Sequence, residues 1–356
     1  MKVAINTLPL KTGHKDRGIG NYTLNLIESL KLDKSIEVLE FVDLSEVKEV
    51  DLVHYPWFDF YFHSLPIRKL FPTVVTIHDV IPLKFFDHYP SGLRGKVNLS
   101  LQRLALSNCK HILTDSNISK NDIIKLLKVK NEKISVIYPT QSSDFKVLSD
   151  TKLLLIKRKY SLPNHYLLYV GDSNWTKNLP FLIENFSKII QRQAFADLKL
   201  ILVGGVFLKK VENIDHPELK SLKEVNRMID KLNLSEKVIR PGNLEIKDLA
   251  VFYNLATVYI QPSFYEGFGL PLLEAMACGT PIVSSDGGSL LEIGGNAPVY
   301  FNPTNSKQFI SIVLEILGNI SLQNKLSNLG LKRAKEFSRE KFVKEIKEVY
   351  FKIINQ

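Results

Sequence analysis

Short runs of β-branched residues alternate with segments of helical period along almost all of the 356 residues, and that alternation admits little besides parallel sheets with crossover helices. The fold class is therefore α/β. The pattern runs twice. A first set of strands is read at 2–6, 38–43, 51–55, 73–78, 111–115 and 133–138, with an amphipathic helix at 20–31. A second set begins afresh at 166–171 and continues at 198–204, 237–241, 257–262, 281–285 and 298–301, with helices near 178–192, 217–232, 246–254, 271–278 and 306–317. A chain of this length is too long for one ordinary core. A Lys-rich helical stretch at 145–163, closed by Ser161-Leu162-Pro163-Asn164, joins the halves. The expected division is a first domain at 1–155, a second at 156–335 and a last helix at 336–356. In that helix Phe342, Ile346, Val349 and Ile353 share a face opposite Lys344, Lys347 and Lys352, so it needs a surface to pack on.

Charge narrows the partners. Forty-seven Lys and Arg against 37 Asp and Glu give a formal charge of +10, which favours anionic ligands. The basic residues are scattered over helix faces rather than gathered with aromatics, which argues against nucleic acid. Cys109 and Cys278 are the two cysteines, in unrelated contexts, and form neither a disulfide framework nor a metal cluster; a reducing compartment is expected. With no leader-like start and no long apolar run, the expected location is cytoplasmic. The segment 91–110 mixes Leu93, Val97, Leu101 and Leu104 with Arg94, Lys96, Arg103 and Lys110. A packed helix with a solvated basic face is the main reading, and shallow peripheral contact with a membrane the alternative.

In open parallel sheets the ligand sits at the carboxyl ends of strands, so the loops after 5–6, 78, 171, 204, 243 and 262 are where function is sought. The most informative stretch runs from Pro262 to Pro281. Gly267 and Gly269 allow close backbone approach, and Pro271 suits the first turn of a helix whose free amides form an anion site. Glu266 and Glu274, eight positions apart, are placed to accept hydrogen bonds from sugar or ribose hydroxyls, although such a spacing alone also fits a structural strand–turn–helix connection. Lys177, six residues after Gly171, is positioned to neutralise charge on a departing diphosphate. Asp172 and Thr176 stand near it, so the diphosphate either has one cation fewer or takes a second from elsewhere, Arg240 being a candidate.

In the first half, Arg17-Gly18-Ile19-Gly20-Asn21 opens the first helix, and the Gly18 amide is a candidate phosphate donor, with plain helix capping as the alternative. The full dinucleotide fingerprint is missing, which argues against NAD. His78 ends a strand at the sheet's functional edge, with Asp79 beside it to orient it or to bind acceptor. Ser116 and Ser119 read as helix-capping residues. No Asp-x-Asp occurs and the eight His show no ligand spacing, so neither a metal nor another cofactor is expected.

The string EGFGLPLLEAMACGTPIVSSDGGSLLEIGGNAPVYFNP, together with GIGNYTLNLIESL, TIHDVIPLKFF, ILTDSNISKNDI, YLLYVGDSNWTKNLPFLIENF and LILVGG in that order, resembles the retaining glycosyltransferase family 4 over nearly the whole chain. The resemblance implies a GT-B fold, two Rossmann-like domains facing each other across a cleft, with the C-terminal helix packing back on the N-terminal domain. It implies a nucleotide diphosphate sugar as donor and a glycan or lipid-linked acceptor, with GDP-mannose the first guess. It implies that Glu266 contacts the transferred sugar, Glu274 the ribose, the backbone of Phe268, Gly269 and Leu270 the sugar and diphosphate, and that His78 touches the donor sugar near its C6 hydroxyl or lines the acceptor path. A nucleotide-sugar 2-epimerase on the same fold and a catalytically silent glycosyltransferase-like subunit are the alternatives.

Overall fold

The computed structural model describes residues 1–15, 18–211, 214 and 217–355. The chain divides into two compact units: Met1–Thr140 together with the segment from Phe337 onward, and Gln141–Glu336.

In the first unit, β1 (Lys2–Asn6), β2 (Glu37–Phe41), β3 (Leu52–Tyr55), β4 (Thr73–Thr76), β5 (His111–Thr114) and β6 (Ile134–Val136) form a parallel sheet in the order β2-β1-β3-β4-β5-β6. The helices are α1 (Gly18–Lys31), α2 (Ile81–Lys84), α3 (Gly92–Ser107) and α4 (Asn117–Leu127). Strand order reverses at β1, so the β1/β3 edge is the topological switch point. Val3, Ala4 and Ile5 on β1 are fully buried, as an all-apolar central strand covered on both faces must be. Ser116 caps α4, its Oγ accepting the Ser119 N–H at 3.0 Å.

The second unit contains α5 (Asp150–Lys159), β7 (Tyr166–Val170), α6 (Leu179–Ile190), β8 (Lys199–Val203), α7 (Lys220–Lys231), β9 (Val238–Gly242), α8 (Ile246–Leu255), β10 (Val258–Gln261), α9 (Leu270–Ala277), β11 (Ile282–Ser285), α10 (Leu290–Gly294), β12 (Val299–Phe301), α11 (Ser306–Leu317) and α12 (Ile320–Ala334). Its sheet order is β12-β11-β10-β7-β8-β9, the doubly wound order of the dinucleotide-binding fold, with its switch point between β7 and β10. The apolar stripes Leu182, Ile183, Phe186 and Ile189 of α6 and Leu222, Val225 and Ile229 of α7 are buried in this unit's core, which is what their helical spacing demands. Gly204, at φ +153°, closes β8 so tightly that a Cβ would lie 2.3 Å from the Gly171 carbonyl oxygen at the end of β7.

Two elements depart from the sequence reading. Helix α5, assigned above mostly to the first domain, lies in the second unit, where Lys159 Nζ and the Tyr160 hydroxyl both donate to Asp248 Oδ2 of α8, at 2.6 and 2.7 Å. Helix α12 was not anticipated. Its contact surface includes small residues: a Cβ on Gly330 would come within 3.4 Å of Met276 Cα on α9, so close backbone approach replaces the large apolar stripe that periodicity detects.

The last helix, α13 (Arg339–Ile354), returns to the first unit. Phe342, Ile346, Tyr350 and Ile353 are buried in one cluster with Val3, Ile5, Tyr22, Leu26 and Val74. Val349, read on the same face, is only partly buried at its rim. A polar thread runs through this cluster. The Tyr350 hydroxyl meets His54 Nδ1 at 2.5 Å, His54 Nε2 meets Thr76 Oγ1 at 2.8 Å, and Thr76 Oγ1 meets the Tyr22 hydroxyl at 3.1 Å. Burial drives His54 down to about 3, and a neutral ring satisfies two hydroxyl partners that can each donate or accept. Lys347 adds an ion pair to Asp33 at 2.8 Å.

Ile346→Ala removes a fully buried side chain at this contact and is expected to lower the stability of the first unit by about 2–5 kcal/mol. Native-state hydrogen exchange resolves it, with loss of protection concentrated in β1 and α1; an unchanged pattern there contradicts the packing role.

Candidate functional site

The loop after β10 is shaped by its ends. Gly269 takes φ +98° at the start of α9, and Pro271 occupies the helix's first turn, both conformations that their residue types favour. The turn after β11 buttresses the loop. A Cβ on Gly287 would lie 2.3 Å from the Phe264 carbonyl oxygen, and one on Gly288, at φ +64°, 2.4 Å from that of Glu266. Ser289 Oγ donates to the carbonyls of Glu266 and Phe268, at 3.1 and 3.0 Å. The Asp-Gly-Gly-Ser segment is thus a support for the Glu266 loop, a role the sequence reading did not assign.

The loop after β7 is strapped to it. The Phe264 N–H donates to the Thr176 carbonyl at 2.7 Å, the Trp175 and Phe264 rings stack at 5.0 Å, and Asn178 Nδ2 reaches the carbonyls of Pro262 and Pro303 at 3.1 and 2.9 Å. Asn178 does so from the left-handed region, at φ +52°, which Asn tolerates better than most residues. These straps bring Lys177 Nζ within 2.8 and 2.7 Å of both Glu266 carboxylate oxygens. Glu266 Oε1 also accepts from Ser263 Oγ at 2.6 Å and from Gln261 Nε2 at 2.7 Å. The Tyr259 hydroxyl donates to the amide oxygen of Gln261, which turns the Gln261 NH₂ toward the carboxylate. The side chains of Lys177 and Glu266 are 20% and 8% exposed, so the pair is largely desolvated while the ammonium remains reachable.

Residues noted for a missing cation hold the loop instead. Asp172 Oδ1 accepts the Ser173 N–H at 2.8 Å, and the buried Thr176 hydroxyl donates to Asn174 Oδ1 at 2.7 Å. Arg240 donates to Asn226 of α7 at 2.8 Å.

Glu274 lies in the second turn of α9 and is buried. The Tyr253 hydroxyl of α8 donates to its Oε2 at 2.8 Å. Burial pushes this carboxyl up to about 7, opposed by that hydrogen bond. Phe268 and Gly269 are buried and Leu270 half-buried; Pro271 carries no N–H and the Leu272 N–H turns to the Gly269 carbonyl at 3.0 Å, so the Leu270 N–H is the first-turn amide without an intrahelical acceptor.

The first unit carries the other candidates. Gly18 begins α1, exposed, with open space where a Cβ would project; Arg17 lies outside the described residues. Gly20 is the sterically required glycine of the pair, since a Cβ there would fall 2.3 Å from the Lys15 carbonyl oxygen. His78 is engaged on both ring nitrogens, Nδ1 with Asp115 Oδ2 at 2.6 Å and Nε2 with the Pro56 carbonyl at 3.0 Å, and the Tyr22 ring meets it edge-on at 4.7 Å. Asp115, at the end of β5, therefore orients His78, while Asp79 Oδ1 accepts the Ile81 N–H at 2.9 Å. Asp115 stood in ILTDS as the last residue of a predicted strand, and that position was its one visible signal. Tyr253, Gln261 and Ser263 were also missed as partners of the two glutamates.

Two Rossmann-like units, each built on a parallel sheet, are the parts of the GT-B class of sugar-transferring enzymes. The family described as "Glycosyl transferases group 1" matches residues 156–333, and "Glycosyltransferase Family 4" matches 17–140. The chain belongs to the group 1 glycosyltransferases. It is 28% identical to O-antigen chain mannosyltransferase B of Escherichia coli, over 96% of this chain and 97% of that protein. It is 31% identical to O-antigen chain mannosyltransferase RfbU of Salmonella typhimurium over 71% of this chain, spanning 63% of that relative. Among solved structures, the sucrose-phosphate synthase of Thermosynechococcus elongatus superposes with a TM-score of 0.78 at 19% identity, covering 100% of this chain and 99% of that one. These relatives are glycosyltransferases, which speaks against the epimerase alternative.

The Glu274 carboxyl, raised from 4.5 to about 7 by burial, holds its proton more tightly folded than unfolded, so stability falls as pH rises from about 4.5 to 7 and then levels off. Glu274→Gln removes that slope. Melting temperatures across this range are expected to show the variant gaining on the wild type as pH rises; parallel curves refute the assignment.

Proposed function

We propose that the enzyme transfers a hexose, mannose first, from a nucleoside diphosphate sugar to a hydroxyl of a glycan acceptor in cell-surface polysaccharide assembly, with retention of configuration. The observation that carries this reading is the Lys177–Glu266 pair at the β7/β10 switch point. An entering diphosphate competes with Glu266 for the Lys177 ammonium. Glu266, still held by Ser263 and Gln261, is then free to accept from a sugar hydroxyl. Glu274 is assigned to the ribose hydroxyls, and the Leu270 N–H at the start of α9, with the backbone of Phe268 and Gly269, to the diphosphate. As the glycosidic bond breaks, Lys177 and the α9 dipole stabilise the departing charge. The reading calls on no cofactor or divalent ion. Front-face attack by the acceptor follows the family resemblance. Gly18 and Asp79 of the first unit are assigned to phosphate and acceptor respectively. The names of the two O-antigen mannosyltransferases support mannose and a surface-glycan acceptor.

Lys177→Ala is expected to lower kcat about 10²–10³-fold when the purified enzyme is assayed with nucleoside diphosphate sugars and a glycan primer, the product's anomeric configuration being read by NMR. Turnover near wild type in the variant overturns the role of Lys177. Binding of a donor without turnover by the wild type returns the silent-subunit reading.

Among the described residues no helix is long and apolar enough to cross a membrane. Leu93, Val97 and Leu104 of α3 are exposed beside Arg94 and Lys96, and we assign this face to peripheral contact with anionic lipid. Leu93→Asp with Val97→Asp is expected to abolish co-sedimentation with vesicles containing phosphatidylglycerol; sedimentation equal to wild type, or none by the wild type, contradicts it.

A further inference from the structure

His54 is buried and His78 partly buried near it in the first unit, yet their partners differ in kind. His54 meets two hydroxyls, which accommodate a neutral ring. His78 meets a carboxylate at Nδ1 and a backbone carbonyl at Nε2, and both of these only accept. A neutral imidazole carries one N–H and would turn a lone pair toward one of them. The ring satisfies both partners only when both nitrogens are protonated. Asp115 requires the same state: it is 5% exposed, its Oδ1 is buried, and among the described residues no hydrogen bond reaches that oxygen, so the bond to His78 anchors its charge.

We propose that Asp115 is the positioning residue that keeps His78 an imidazolium, and that His78 serves the transfer reaction as a hydrogen-bond donor through Nε2–H and never as a proton acceptor. The Nδ1–H bond to Asp115 fixes ring orientation. The Nε2–H is the exchangeable one: it leaves the Pro56 carbonyl for a substrate hydroxyl or phosphate oxygen, and no covalent bond changes. Among the described residues, the charged or titratable groups facing the ring are Asp115 beyond β5 and Asp79 on its own loop, both favouring the cation, and His54 on β3, which burial keeps neutral. Tyr22 of α1 presents its ring edge, and burial holds its hydroxyl far above the usual range. Against burial, which opposes charge, the two carboxylates and the Pro56 carbonyl together leave His78 above its ordinary 6.5.

This inference rests on the transferase reading for its functional half, and the test separates the two. The full-length protein, labelled with ¹³C-histidine and assigned with His78→Gln, is titrated by NMR from pH 5 to 9. The His78 ring is expected to titrate above pH 6.5 in the wild type, about one unit or more lower in Asp115→Asn, and near wild type in Asp115→Glu. A wild-type midpoint at or below 6.5 overturns the proposal without any assay of activity and whether or not the variants fold. In the transfer assay, kcat/KM is expected to fall on the alkaline side as His78 loses its proton. That limb moves down by the same interval in Asp115→Asn, a loss of about tenfold per unit at pH above both midpoints. Activity that instead rises as His78 deprotonates marks a proton acceptor and overturns the donor role. Absence of transfer with every sugar nucleotide defeats the transferase reading and leaves the titration to decide the state of His78.

Discussion

A lysine ammonium and a glutamate carboxylate, both largely removed from water, share the carboxyl end of the second sheet, and the loops around them are built to keep them there. Desolvating two charges costs more than their attraction returns unless further hydrogen bonds complete the site. Here the further bonds are present: Ser263 and Gln261 donate to Glu266, and Tyr259 sets the Gln261 amide. The strapping of Phe264 to Thr176 and the crowded glycines at 287 and 288 hold the two loops in register. The switch point is where such a pair belongs. The connections of β7 and β10 leave toward different sides of the sheet, so their loops part and expose a polar crevice.

The first unit solves a different problem. Its sheet is completed by α13, a helix separated in sequence from the rest of the unit by the whole of the second. Apolar burial supplies the attraction, and the thread from Tyr350 through His54 and Thr76 to Tyr22 adds direction, because each hydroxyl or ring nitrogen finds a partner only in one docking register. Tyr22 ends that thread against the ring of His78. Packing of the last helix and orientation of a candidate site residue therefore meet at one side chain.

Much of the fold was legible because parallel strands buried on both faces read as apolar β-branched runs and their crossover helices as 3.6-residue stripes. Every strand predicted in either half is present within a residue or two. The misses have physical causes. Helix α12 makes part of its contact through a glycine, which carries no hydrophobic signal. The second compact unit begins at Gln141, ahead of the expected 156, with α5 held to it by hydrogen bonds from Lys159 and Tyr160 to Asp248, which periodicity does not register. Of the candidate site residues, several lie within or beside glycine-rich turns, where unusual backbone demands unusual residues and the sequence can point to them. Asp115, Tyr253 and Gln261 were missed because each is an ordinary residue on an ordinary element until the sheet brings it to its partner.

The sequence by itself determined the two parallel sheets, the glycine-rich loops at their carboxyl ends and the family, because periodicity, glycine placement and motif order are local properties of the chain. Only the tertiary structure decided which charges are paired. Glu266 and Lys177 lie 89 positions apart, His78 and Asp115 37 apart, and hydrogen bonding, burial and the state of a proton depend on distances in space that separation along the chain does not encode.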